Sequence, residues 1–262
     1  MPPSANLPYM SRIAVTLIGG PTALLEIDSL RLLTDPTFDP PGTYPSGATL
    51  TKSVGPALAP EQLGRVDAIF LSHDQHKDNL DHRGREFLAK VPVVFTTPPG
   101  AGRLGKNARG LTNWEDAELQ SDHGHLRITS TPARHGPAGI QPISGEVTGF
   151  VLSSAEGMPL VYITGDTVWF EGTAEVARRF QPQVVLAFAG RAQARGPFDL
   201  TMSTNDVVEA AHHFPNAVIV PVHHQGWTHF TQSQDDLVKT FTVLGIGDRL
   251  LPIHPGERAV LA

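Results

Sequence analysis

Four polar clusters hold the residues best suited to chemistry: His73-Asp74-Gln75-His76-Lys77-Asp78-Asn79, His135 in Pro132-Ala133-Arg134-His135-Gly136, Gly165-Asp166-Thr167, and His223-His224. Imidazole and carboxylate donors of this kind suit divalent first-row metal ions. The chain has 12 His and no Cys, which excludes disulfides, thiolate zinc sites and a Cys nucleophile. Each cluster alone also has a plain reading, since a His after a strand is often solvated and an Asp after a Gly often forms a turn. Four in one chain point instead to one shared site.

What positions them is a set of apolar, strand-like runs. Val66–Ser72, Leu126–Thr131, Leu160–Thr164 and Ala217–Val222 each end directly before a cluster or a few residues short of one. In α/β folds, ligand-binding groups gather beyond the carboxyl ends of strands. Ile13–Ile18, Ala23–Ile27 and Leu30–Thr34 read as a strand meander, and Val91–Thr96, Gly149–Ser153 and Val184–Phe188 as further strands. Helices are expected over Asp81–Lys90, Glu171–Phe180, Val207–Phe214 and Leu237–Leu244, the last two opened by the capping boxes Ser203-x-x-Asp206 and Ser233-x-x-Asp236. Between Asp35 and Pro60 nine Pro and Gly residues leave a long irregular loop.

Of 262 residues, 40% are hydrophobic and 18% charged, so the signature of disorder is absent. The reading is one α/β domain over residues 1–262, with residues 1–9 a loose tail and Met10 an alternative start. The net charge of −6, with no basic run, argues against a nucleic-acid partner. No apolar run reaches the roughly 18 residues of a membrane span. A cytoplasmic protein acting on a small molecule is expected, and a homo-oligomer is left open.

In this order, His73-x-x-His76-x-Asp78 after a strand, a lone His135, Gly165-Asp166-Thr167 and Pro221-x-His223 resemble the metallo-β-lactamase superfamily of metal-dependent hydrolases. Within it, the L-ascorbate-6-phosphate lactonase-like and N-acyl-phosphatidylethanolamine phospholipase D-like branch is nearest, a likeness shared by Leu33-Thr34-Asp35-Pro36. The resemblance implies an α/β fold of four αβ/βα layers with a metal cleft at one edge of its two sheets. It implies one or two divalent ions, zinc foremost with manganese or iron as alternatives, on His73, His76, Asp78, His135, Asp166 and His223. Asp166 would bridge, and Asp78 and Asp166 would be the catalytic carboxylates that orient the attacking water or take its proton. The implied reaction is hydrolysis of an ester-like bond, a lactone or phosphodiester. A protein of the same fold that binds metal and ligand without turnover is the alternative.

The sequence departs from the superfamily's usual His-x-His-x-Asp-His twice. An extra residue leaves Gln75 where the second His is expected, and Asn79 stands where a His follows the Asp. An amide is a poor ligand beside imidazole, so a mononuclear site is the alternative to a dinuclear one. Around these, His224, Trp227 and His229 would either wall the pocket or close a loop. Arg191 and Arg195 would meet an anionic substrate or lie on the surface. Asp81 is expected to cap a helix and to hydrogen-bond a ligand His from behind. His123, His125, His212, His213 and His254 are read as structural or solvated, and His82, one residue beyond Asp81, is assigned no role.

Overall fold

The computed structural model describes residues 11–45 and 48–261. The tail expected over residues 1–9 lies outside them. The chain opens with β1 (Ile13–Gly19), β2 (Thr22–Ile27) and β3 (Leu30–Thr34), an antiparallel meander as expected. The stretch read as one irregular loop instead contains a short hairpin, β4 (Gly42–Tyr44) and β5 (Leu50–Lys52). Then come β6 (Ala68–Phe70), α1 (His82–Leu88), β7 (Val94–Thr96), α2 (Pro98–Leu104) and β8 (Ala108–Gly110). The second half runs β9 (Asp116–Ser121), β10 (Gly124–Pro132), α3 (Gln141–Ser144), β11 (Thr148–Ser154), β12 (Pro159–Ile163), α4 (Glu171–Arg179) and β13 (Val184–Phe188). It continues with α5 (Thr204–His213), β14 (Val218–Val222), α6 (Gln234–Val243) and β15 (Arg258–Val260).

Two sheets result, in the orders β15-β1-β2-β3-β6-β7-β8 and β14-β13-β12-β11-β10-β9. Strict alternation along the strands decides which side chain faces which layer. Val184, Leu186 and Phe188 of β13 join Phe70, Phe95 and Phe150 between the sheets. Val185 and Ala187 turn the other way, onto Val176 of α4, Val207 of α5 and Phe241 of α6. On the far side, Leu33 and Ile69 pack against Phe87 and Leu88 of α1. The layers are therefore helix, sheet, sheet, helix. β13 is buried at every residue and lies between parallel neighbours, as expected of a strand covered on both faces. Among the described residues no helix is long and apolar enough to cross a membrane.

The capping boxes behave as read: Ser203 and Ser233 each accept from the backbone N–H three residues on. Asp81 caps α1 by accepting from Gly84 N–H, but its expected bond to a ligand His is corrected. Its Oδ1 accepts from the backbones of Phe38 and Gly84, and its Oδ2 from Asp39 N–H and the buried Lys52 ammonium. Both oxygens are engaged in tying α1 to the β3–β4 loop and to β5.

Candidate metal centre

All six residues read as ligands meet at one edge of the two sheets. His73 and His76 follow β6, His135 follows β10, Asp166 follows β12 and His223 follows β14. They form two groups whose ligand atoms lie within 4.8 Å of one another, His73/His76/His135 and Asp78/Asp166/His223.

In the first group the Nε2 atoms of His73 and His135 lie 2.8 and 3.1 Å from His76 Nδ1. Two rings are fixed from behind. His135 Nδ1 is 2.8 Å from the Leu200 carbonyl, which only accepts, so Nδ1 carries the proton and Nε2 presents its lone pair. Ser72 donates its hydroxyl to Asp35 Oδ1 at 2.7 Å. That hydroxyl must then accept from His73 Nδ1, 3.0 Å away, which frees His73 Nε2 in the same way. Burial holds His73 well below the usual imidazole range. Burial, with His135 beside it, pushes His76 down to about 4. Unprotonated nitrogens facing one another near 3 Å match the edges of a tetrahedron of Zn–N bonds, about 3.3 Å for bonds of 2.0–2.1 Å.

The second group is rich in carboxylate and buried, with Asp166 and His223 fully enclosed and Asp78 5% exposed. His223 Nδ1 lies 3.0 Å from Asp166 Oδ1 and His223 Nε2 lies 3.5 Å from Asp78 Oδ2. Both contacts are off the hydrogen-bond line, which leaves both ring nitrogens, together with Asp166 Oδ2, buried without a hydrogen-bond partner. Buried polar atoms are seldom left so. Burial opposes charge on all three residues, yet their mutual attraction prevails. Asp78 and Asp166 are held well below the usual carboxylate range by the imidazoles around them, and His223 is raised to about 10 by the two carboxylates. Asp166 Oδ2 is also 3.7 Å from His135 Nε2, so this carboxylate stands between the groups. The donor chemistry and the orphaned atoms fit divalent cations.

Local backbone explains how the residues arrive. Gly165 has φ +62°, and a Cβ there would meet the Thr148 carbonyl at 2.5 Å, so glycine is required for the turn that delivers Asp166. His223 itself has φ +58°, a conformation that non-glycine residues adopt mostly where surrounding structure enforces it. Its N–H donates to the Gly20 carbonyl at 2.7 Å. In the first motif the extra residue bulges outward: Gln75 is exposed, Asp74 is turned onto Arg103 and Arg85, and His76 takes the second imidazole place.

Several contributors escaped the sequence reading. Asp35, beyond β3, receives both the N–H and the hydroxyl of Ser72, and burial raises its pKa well above the usual range. Asn79 donates to Asp166 Oδ1 at 3.1 Å. His229, left undecided between wall and loop, places Nε2 2.9 Å from Asp78 Oδ2. Trp227 is a loop closer, packed with Tyr44 and Leu50. Arg191 is a brace on Asp199 at 2.9 Å, whereas Arg195 lines a narrow cavity with about 20 Å³ of space open to water. Its walls include Leu50, Ala192, Ala194 and Leu200, and its floor is His76, Asp78, His135 and His229.

Residues 30–224 match the profile of the β-lactamase superfamily domain. The chain belongs to the metallo-β-lactamase superfamily. Among its superfamily relatives, the UPF0173 protein YddR of Bacillus subtilis (strain 168) is 25% identical over 254 residues, covering 93% of this chain and 98% of that protein. A UPF0173 metal-dependent hydrolase of Solibacter usitatus is 23% identical, covering 93% and 97%. Among solved structures, the isothiocyanate hydrolase from Delia radicum gut bacteria superposes with a TM-score of 0.80 at 25% identity, covering 94% and 98% of the two chains.

Proposed function

We propose that the protein is a metal-dependent hydrolase of small molecules, with His73, His76 and His135 holding one ion and Asp78, Asp166 and His223 a second. The ions are zinc in this reading, with Asp166 shared between them. The observation that carries it is the pair of buried donor triads whose orphaned atoms lie beneath a small cavity. Relatives named metal-dependent hydrolases support it. When bound, such ions supply an ionised water near neutral pH and polarise the bond under attack.

The chain's own residues orient that chemistry. Asp78 is anionic and lines the cavity, so it aligns the attacking water, accepts its proton and returns it to the leaving oxygen of an ester or to the nitrogen of an isothiocyanate. Asn79 holds Asp166 in place through its amide N–H. The substrate class follows from the walls. Small apolar side chains and a single guanidinium, Arg195, suit a compact molecule with an electrophilic carbon and at most one negative charge. A lactone or other small ester is the first reading. An isothiocyanate is the second, favoured by the similarity to the isothiocyanate hydrolase. A phosphodiester is disfavoured, because among the described residues one cationic side chain, Arg195, lines the cavity.

The test is turnover of a γ-lactone, allyl isothiocyanate and bis(4-nitrophenyl) phosphate by protein stripped with chelator and then reloaded with zinc or manganese. Metal-dependent hydrolysis of one of the carbon electrophiles is expected. Preference for the phosphodiester would overturn the substrate class, and a loaded protein inert toward all three would favour binding without turnover.

A further inference from the structure

Asn79 stands next to Asp78 in the chain, yet its side chain is committed elsewhere. It is fully buried, and its amide nitrogen donates to Asp166 Oδ1 at 3.1 Å and to Ser72 Oγ at 3.4 Å. It holds the shared carboxylate in place and supplies no imidazole. The second position therefore has two carboxylates and one His from the six residues of the motifs, three protein donors where a closed zinc site has four and an open one three with a water.

We propose that His229 is that fourth protein ligand, filling through Nε2 the place that Asn79 leaves without an imidazole. The inference rests on the dinuclear reading above and names a residue of the same site. His229 Nε2 lies 2.9 Å from Asp78 Oδ2. Two ligands sharing one ion with bonds near 2.0 Å stand about 3.3 Å apart, so this pair can share an ion, while His229 lies outside the 4.8 Å group formed by Asp78, Asp166 and His223 and its ring must close on them when the ion binds. The side chain is only 8% exposed, and it forms the cavity floor together with His76, Asp78 and His135.

The segment carrying this ring is anchored on two sides. Thr228 N–H donates to the Thr51 carbonyl of β5, and Gln193 N–H to the His229 carbonyl. The ring is fixed by Phe230, with centroids 4.6 Å apart, and by Trp227 at 6.1 Å. His229 Nδ1 is buried without a partner. Six residues beyond His223 and 151 beyond Asp78, this imidazole belongs to no contiguous motif, although it meets the same carboxylate as His223. The competing role is an orienting one, in which His229 hydrogen-bonds a ligating Asp78 without touching the ion.

The test uses the full-length protein loaded with Co(II), reading metal equivalents by elemental analysis and imidazole ligands by their paramagnetically shifted N–H resonances. Two equivalents and five shifted imidazole N–H signals are expected, one each from His73, His76, His135, His223 and His229. His229→Ala should retain the first equivalent, weaken the second by more than about 100-fold, and lose one signal. Asn79→His combined with His229→Ala should restore the second equivalent. Should that double variant fail to fold, the signal count in the wild type still decides. Four signals with two equivalents bound, or unchanged stoichiometry and affinity in His229→Ala, would overturn the proposal. A wild type that binds one equivalent overturns it but leaves the hydrolase reading intact, whereas one that binds none overturns that reading itself.

Discussion

The two donor groups are built on different principles although they share a carboxylate. The first is three imidazoles, of which burial holds His73 and His76 below the usual range and acceptors behind them, Ser72 and the Leu200 carbonyl, aim His73 and His135. The second joins two anionic carboxylates to one His whose pKa they raise. A cluster of imidazole nitrogens selects a transition metal by ligand type. An anionic pocket attracts cations by charge, and its occupancy then depends on which further donor completes it. The lesson is that the orthodox half of the site, His73/His76/His135, is where the sequence departs by an inserted residue without consequence. Under the proposed ligation by His229, the other half makes good the Asn79 substitution through a residue far away in the chain.

That contrast is broken most severely by Asp166→Asn, because Asp166 faces both groups. Loss of its charge should weaken both metal equivalents, and turnover should fall by more than about 100-fold. Measured metal content that drops by no more than one equivalent would show that the carboxylate serves a single position. Ser72→Ala acts chiefly on the imidazole group, by removing the acceptor that orients His73, and on the other only through the long Asn79 bond. It should lower affinity for the first ion by about 10–100-fold and leave the second within a few-fold, read by competition with a chelator of known affinity. Arg195→Ala touches neither group. For a singly anionic lactone it should raise KM about tenfold with kcat little changed, the pattern of lost uniform binding, and it should leave KM for an uncharged one unaltered. His212→Ala, an exposed position on α5, should change neither metal content nor thermal stability, and a loss of metal there would mean that the groups are misassigned.

Much of this was legible before the structure because the donors sit at the ends of apolar runs. β13 coincides with Val184–Phe188 residue for residue, since five consecutive apolar residues can only be a covered strand there. The α5 and α6 starts follow from hydroxyl and carboxylate three residues apart. By contrast, the β4–β5 hairpin is made of three-residue strands amid Pro and Gly, too short for a period to show. α2 reads Pro-Pro-Gly-Ala-Gly-Arg-Leu, a composition whose helix is stabilised by the Thr97 cap and by tertiary packing rather than by propensity. β9 does alternate, with Ala117 and Leu119 inward, but its Asp, Glu and Gln are poor strand formers. Within the site, the six donors could be named from the resemblance to the superfamily that the order of the motifs carries. The roles of Asp35, Asn79 and His229 could not, because each depends on contacts between loops that only the packed sheets bring together.

The most direct test of the central claim is anomalous diffraction from crystals of the zinc-loaded protein, recorded on both sides of the zinc absorption edge. Two peaks are predicted, one enclosed by His73, His76 and His135 and the other by Asp78, Asp166 and His223, with Asp166 reaching both. Absence of any peak at the edge where these strands end, in protein shown to carry zinc, would contradict the account.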